Sequence, residues 1–220
     1  MFYTLASPKL KTAVLVNSLG NCEDFSGMFK YQSNLTECDF SKCKFSKCKS
    51  MANMFEGCSS LKSTKMNLSS LTNACTEIQF LYSESAIADD IILPDTASNL
   101  QYINLMCSSY TRRVKMPNSV TKLVKNNNER AFANATSLEY LEWDNFGATP
   151  NITEFDFTAN TKLGTGSEEN LQAFKNLFIN AFDRKTAGYA VCTVSLAAVQ
   201  KALLTAEEIT AFENKGYKIA

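Results

Sequence analysis

"GMFKYQSNLTECDF" (27–40), "NMFEGCSSLKSTKM" (53–66) and "RAFANATSLEYLEW" (130–143) are three versions of one pattern. In each, a Phe precedes a Leu by six residues: Phe29/Leu35, Phe55/Leu61 and Phe132/Leu138. Two further slots follow the Leu, three and five positions on. They hold Cys38 and Phe40, Thr64 and Met66, and Leu141 and Trp143. The same slots return as Ile152-x-x-Phe155-x-Phe157. Weaker copies are Leu10-x-x-Ala13-x-Leu15, Ala88-x-x-Ile91-x-Leu93 and Thr111-x-x-Val114-x-Met116. Seven candidate rungs therefore start at 10, 35, 61, 88, 111, 138 and 152, with steps of 25, 26, 27, 23, 27 and 14 residues. Self-similarity at such a period marks stacked repeats.

One repeat of this length cannot bury its apolar face alone, whereas stacked repeats share a continuous core. Side chains alternate along a strand, so the slot residues point inward and those between them point out. This reading covers the cysteine-rich stretch. Cys38 takes the slot that Leu141 and Phe155 hold elsewhere and is expected to be an inward thiol. Cys58 belongs to the "CSSL" turn, where a small side chain packs closely. Cys43 and Cys48 lie in "CDFSKCKFSKC" (38–48), a five-residue echo in which a small residue and a Phe both point inward. Two alternatives are metal and disulfides. The spacing C-x4-C-x4-C-x9-C lacks the tight pair of a structural zinc site. Disulfides need an oxidising compartment, and the first 20 residues, with lysines inside the apolar stretch, do not read as a signal peptide.

Composition narrows the chemistry. The chain of 220 residues has 22 basic and 22 acidic side chains and no histidine. Zero net charge argues against a general nucleic-acid partner. Without histidine there is no Ser-His-Asp or Cys-His pair and no His-containing zinc site. No G-x-G-x-x-G loop is present, and no apolar run approaches the roughly 20 residues of a membrane span. No catalytic residue, metal or cofactor is assigned. An enzyme using carboxylates such as Glu142 and Glu154 is the rival class.

The segments "MANMFEGCSSL" (51–61) and "MPNSVTKLVKNNNERAFANATSLEYLEW" (116–143) resemble the BspA-like leucine-rich repeats. Met116-Pro117-Asn118-Ser119-Val120 matches that family's Pro and Ser-Val step. Ala131-Phe132 matches its Ala-Phe turn, Ser137-Leu138 its final Leu, and Leu93-Pro94 is a partial copy. The resemblance covers residues 8–160, with the fourth rung departing most. It implies a parallel α/β solenoid and no enzymatic activity. Relatives of this kind are surface or secreted proteins that bind other proteins and host matrix, and related repeats occur in phage structural proteins.

The tail reads differently. Leu171, Phe174, Leu177, Phe178 and Ala181 share one helical face, with Ser167 as N-cap ahead of Glu168 and Glu169. "YAVCTVSL" (189–196) reads as a strand. Thr205-x-x-Glu208 is a capping box, Lys215-Gly216 a helix stop, and Tyr217–Ile219 a final strand. The expected fold class is α/β: a leucine-rich-repeat parallel solenoid over 1–160, with a small helix–strand–helix–strand cap over 161–220.

The outward rung positions form the candidate partner-binding face: Asp39, Lys65, Arg113, Lys115, Tyr140, Glu142 and Asp156. Their alternating signs also fit plain cross-strand charge pairing. Tyr140 is the best single contact candidate, because Tyr is enriched at binding hot spots. Lys42, Lys44, Lys47 and Lys49 form a basic stretch, read as a solvated loop or as a contact to an anionic glycan or nucleic acid, though without interleaved aromatics beyond Phe45. Asn34, Asn67, Asn134 and Asn151 stand in N-x-S/T by chance, and no glycosylation is expected. The expected function is a non-enzymatic recognition or structural module of a phage virion, such as a head fibre or tail-associated protein. Its partners are other subunits or a receptor, with glycan as a further class. A secreted or cell-surface bacterial adhesin is the alternative. An exposed first rung can pair edge to edge, so a homo-oligomer is compatible with the pattern.

Overall fold

Where the slot pattern places short apolar-polar alternations, the chain extends. The computed structural model describes residues 10–15, 19–118, 120–124 and 130–220. Ser119 of the Met116–Val120 segment lies outside the described residues, as does the first-20-residue leader reading over 1–9 and 16–18. The architecture is short parallel strands with small helices. Strands β1 (Thr12–Val14) and β2 (Glu37–Asp39) pair in parallel, Ala13 opposite Cys38. β3 (Ile91–Ile92), β4 (Arg113–Lys115) and β5 (Tyr140–Glu142) form a second parallel sheet, with Ile91 opposite Val114 and Val114 opposite Leu141. These are the inward slot residues of successive rungs. The fourth rung keeps the register read from its weak pattern.

Two rungs depart from expectation. At 61–66 no strand forms. Phe40 N–H still donates to the Thr64 carbonyl (3.0 Å), but Thr64 N–H donates to the Asp89 carboxylate (2.6 Å) instead of to backbone. Lys65 is left-handed (φ 52°), which ends the extended run. At the last rung, β6 (Glu154–Asp156) does not pair with β5. It opens a third parallel sheet with β7 (Cys192–Ser195) and β8 (Tyr217–Ile219), Phe155 opposite Val194. The 14-residue step is too short to carry the chain through a full turn, and the strands of the tail take that edge. In the weak copies, Leu10 and Ala88 are exposed rather than inward.

A second ladder, unread from sequence, runs through the Phe-bearing segments. Asp24, Ser50, Glu77 and Tyr102 form parallel bridges in succession. Beyond them, alternate amides donate to the next segment: Gly27 to Ala52 O (2.8 Å), Phe29 to Met54 O (2.9 Å), Asn53 to Gln79 O (2.9 Å), Phe55 to Leu81 O (3.0 Å) and Phe80 to Asn104 O (2.8 Å). Equivalent positions repeat the same unusual backbone. Gly27, Asn53, Phe80 and Leu105 all have φ between 46° and 63°. Tyr31, Gly57 and Glu84 form a second such column at φ 56–72°. Left-handed backbone at a bulky residue is costly, so its recurrence at equivalent positions reflects a common turn imposed by stacking.

Between the two ladders lies the core. Phe29, Phe55 and Tyr82 line up across three segments, with ring centroids 5.5 and 6.0 Å apart. Phe40, Cys43, Phe45 and Cys48 are all buried, so the five-residue echo does turn its small and aromatic residues inward. All eight cysteines are free, and only Cys22 is partly exposed. Burial pushes the Cys38, Cys58 and Cys192 thiols up to about 12. A maleimide or iodoacetamide reagent under native conditions is therefore expected to label Cys22 first. Cys38, Cys58, Cys107 and Cys192 should react only on unfolding, and rapid native labelling of Cys38 would contradict its inward placement.

In the tail, α1 (Glu168–Ile179) is capped by Ser167 and α3 (Ala206–Asn214) by the Thr205/Glu208 box, as expected; a one-turn α2 (Ala198–Lys201) lies between. α1 buries Ala173, Phe174, Leu177 and Phe178, packs against β5 and α3, and is joined to α3 by Lys175–Glu208 (3.0 Å). No helix among the described residues is long and apolar enough to cross a membrane.

Candidate recognition face and the cleft beside it

The seven outward residues do not form one surface. Four of them meet on β4 and β5. Lys115 Nζ donates to Glu142 Oε1 (2.6 Å), and Tyr140 Oη donates to Glu142 Oε2 (2.6 Å). The Arg113 guanidinium lies 4.0 Å from the Tyr140 ring centroid and donates to Glu169 of α1 (2.7 Å). Asp39 and Lys65 form a separate pair (3.2 Å), 26 residues apart across successive rungs. Asp156 sits on the third sheet, where its carboxylate accepts from Thr158 N (2.9 Å) and Oγ1 (2.6 Å).

The electrostatics follow from these contacts. Burial pushes the Glu142 carboxyl up, but the bonds from Lys115 and Tyr140 outweigh it and leave the group below its ordinary range. Burial and the bond to Glu142 push the Tyr140 phenol up to about 12. Asp39 is lowered to about 2, first by the Ser41 hydroxyl and amide and then by Lys65. A carboxyl lowered in the folded state stabilises above its unfolded value of about 4, and that stability is lost as pH falls through the folded value. Asp39→Asn is therefore expected to flatten the dependence of unfolding free energy on pH between about 4 and 2. Urea titrations across that range check this; an unchanged slope would show the Ser41 and Lys65 contacts to be absent in solution.

Most charges on this face are thus already paired, and exposed pairs of this kind contribute at most about 1 kcal/mol each. In the basic stretch Lys49 pairs with Glu23 (2.7 Å), and Phe45 between the lysines is fully buried and packed on Phe25 (5.3 Å). No base or sugar can stack there. Among the described residues, no group of three or more His, Cys, Asp or Glu is placed to hold a metal ion.

Sequence reading missed a cleft of about 410 Å³ where α1 lies beside β5. It is lined by Tyr140, Glu142, Trp143, Asp144, Glu169, Gln172, Ala173, Asn176 and Asn180. α1 was legible for its Phe-bearing side alone. The polar row Gln172, Asn176, Asn180, at i, i+4 and i+8, was the available signal. Gln172 Nε2 donates to Asn176 Oδ1 (2.8 Å), and Asn180 Nδ2 donates to Asp144 Oδ1 (3.0 Å).

No family model, no curated protein and no solved structure matches this chain. The resemblance to BspA-like repeats therefore rests on the quoted residues alone.

Proposed function

We propose that this chain is a non-enzymatic recognition and structural module built as a leucine-rich-repeat solenoid of the BspA-like kind, closed by the α/β tail. The observation that carries the reading is periodic stacking. Backbone bonds link segments 23–27 residues apart on two sides of one core, and outward side chains of successive rungs pair with one another. A stack of this type presents a fixed column of side chains for a partner. Within that column the Arg113–Tyr140–Glu142–Lys115 cluster is the partner contact.

The setting we favour is a phage virion, as a head-fibre or tail-associated subunit. Its support is the set of eight free thiols, seven of them buried, with Cys38 in the slot that Leu141 and Phe155 fill in other rungs. So many unpaired cysteines suit a protein assembled in a reducing compartment better than an exported adhesin.

The test is mass spectrometry across a density gradient of the source culture. Co-migration of this chain with capsid protein is expected; recovery in the envelope or secreted fraction would replace the virion reading with the adhesin one. For the particle subunit that binds it, the double variant Lys115→Ala/Tyr140→Ala should weaken affinity about tenfold or more. Its unfolding midpoint should stay near that of the parent. Unchanged affinity would remove this cluster from the contact.

A further inference from the structure

The cleft between β5 and α1 has a composition that selects for a particular ligand chemistry. We infer that it is a binding site for a neutral oligosaccharide. The inference rests on the reading of this protein as a recognition module and assigns a second ligand class to its outward side.

Charge excludes two alternatives. The lining holds Glu142, Asp144 and Glu169 and no cation, so phosphate, sulfate and carboxylate ligands are repelled. Two of those carboxylates are already countered, Glu142 by Lys115 (2.6 Å) and Glu169 by Arg113 (2.7 Å). The third, Asp144, lies in the field of Lys115 and already accepts from Asn180, so a cationic ligand finds no uncountered carboxylate in the lining. A neutral ligand rich in hydroxyls fits the rest.

The polar geometry favours hydroxyls as well. Gln172, Asn176 and Asn180 repeat every four residues along α1 and its C-cap, a rise of about 6 Å per step. That spacing is comparable with the length of one hexose unit in an extended chain. Each carboxamide carries two donors and an acceptor with two lone pairs. The bonds they make among themselves and to Asp144 use only part of that capacity. Each can still give to one sugar hydroxyl and accept from another.

The aromatic component is Tyr140; Trp143 belongs to the cleft wall but is too buried to offer a stacking face. Arg113 covers one face of the Tyr140 ring. Trp143 is 2% exposed, and its indole Nε1 is buried with no hydrogen-bond partner among the described residues. A buried donor without a partner is costly, and here it belongs to a residue of the cleft wall.

Trp143 is the chain's only tryptophan, so the emission comes from one side chain, which lines the cleft and packs on Phe146 and Phe155. The experiment titrates the full chain with neutral tetrasaccharides of β-linked glucose, β-linked N-acetylglucosamine, β-linked galactose and α-linked mannose. Fluorescence and calorimetry are the readouts. Saturable binding of at least one tetrasaccharide is expected, with a change in Trp143 emission and little response to added salt. Asn176→Ala should weaken it about tenfold, the weight of one or two hydrogen bonds. Asn176→Gln should restore part of the loss, and both variants should keep the parent's unfolding midpoint. Lys201→Ala, outside the cleft lining, should bind sugar as the parent does.

Absence of binding to every tetrasaccharide would overturn the inference. So would binding of oligolysine that fades with salt, or sugar binding that Asn176→Ala leaves intact. None of these results would touch co-migration with the virion or the protein contact at Lys115 and Tyr140. Those are measured separately, so the two readings fail independently.

Discussion

Phe55→Ala is expected to lower the free energy of unfolding by about 3–5 kcal/mol, the range for truncating a buried Phe. Phe55 is fully buried. Its ring is parallel to Phe29 at 5.5 Å, edge-on to Phe40 at 5.7 Å and tilted against Tyr82 at 6.0 Å. Those neighbours come from the segments before and after it, so one side chain joins three turns of the chain. Aromatic pairs of this kind add roughly 0.5–1.5 kcal/mol each beyond area burial. Rings on both sides are tied to the backbone ladders and cannot close the gap freely, which places the cost at the upper end of the range. Against a total stability of about 5–15 kcal/mol for a domain, this is a large fraction. Urea unfolding followed by circular dichroism measures it; a loss under about 1 kcal/mol would mean that the rings do not stack.

Arg184→Ala is expected to cost about 3 kcal/mol or more, through the buried acceptors it leaves behind. Arg184 is fully buried and pairs with no acidic side chain among the described residues. Its guanidinium donates instead to three carbonyls: Gly147 O (2.6 Å), Thr149 O (2.9 Å) and Ala190 O (2.9 Å). These carbonyls belong to the loop after β5 and to the approach to β7, so the side chain ties the tail to the last rungs. The rings of Tyr189 and Tyr217 lie 5.5 and 6.0 Å from its charge. Tyr217 adds its own bonds to Phe146 O (2.7 Å) and Phe182 O (3.1 Å). The contact is tight: a Cβ added at Gly147 would sit 2.2 Å from the Tyr217 hydroxyl. Removing a buried unpaired charge is itself favourable, which opposes the loss. Three orphaned carbonyls at about 1–3 kcal/mol each outweigh that relief. Arg184→Lys should recover part of the loss, since one ammonium can reach some of the same oxygens. An Arg184→Ala variant as stable as the parent would contradict the clamp.

The strand register was legible because it depends on side chains that the sequence displays. Leu138-x-x-Leu141-x-Trp143 declares its inward slots, and aligning weaker copies to it places Ile91, Val114 and Leu141 side by side. The caps were legible for the same reason: Ser167, Thr205 and Glu208 act through their own side chains. The second ladder was not legible. Its bridging residues are Asp24, Ser50, Glu77 and Tyr102, which follow no common side-chain pattern, because the bridges are made by backbone. Its left-handed turns occur at Gly27 and Asn53, which favour them, but equally at Phe80 and Leu105, which do not. The loss of strand at 61–66 depends on Asp89, a residue one rung away that takes over the Thr64 amide. Arg184 gave no signal because its partners are carbonyls scattered from 147 to 190. The cleft arises where two elements meet, and only the row Gln172, Asn176, Asn180 hinted at it.

The central claim is that segments about 25 residues apart are hydrogen-bonded to one another on two sides of a shared core. Amide hydrogen exchange followed by NMR tests it most directly. The amides of Gly27, Phe29, Asn53, Phe55, Phe80 and Tyr82, each donating to the next segment, should exchange slowly and with similar opening free energies. Exposed residues such as Lys47 should exchange quickly. Fast exchange at the six ladder amides would mean that the segments do not stack, and the proposed recognition column would fall with the ladder.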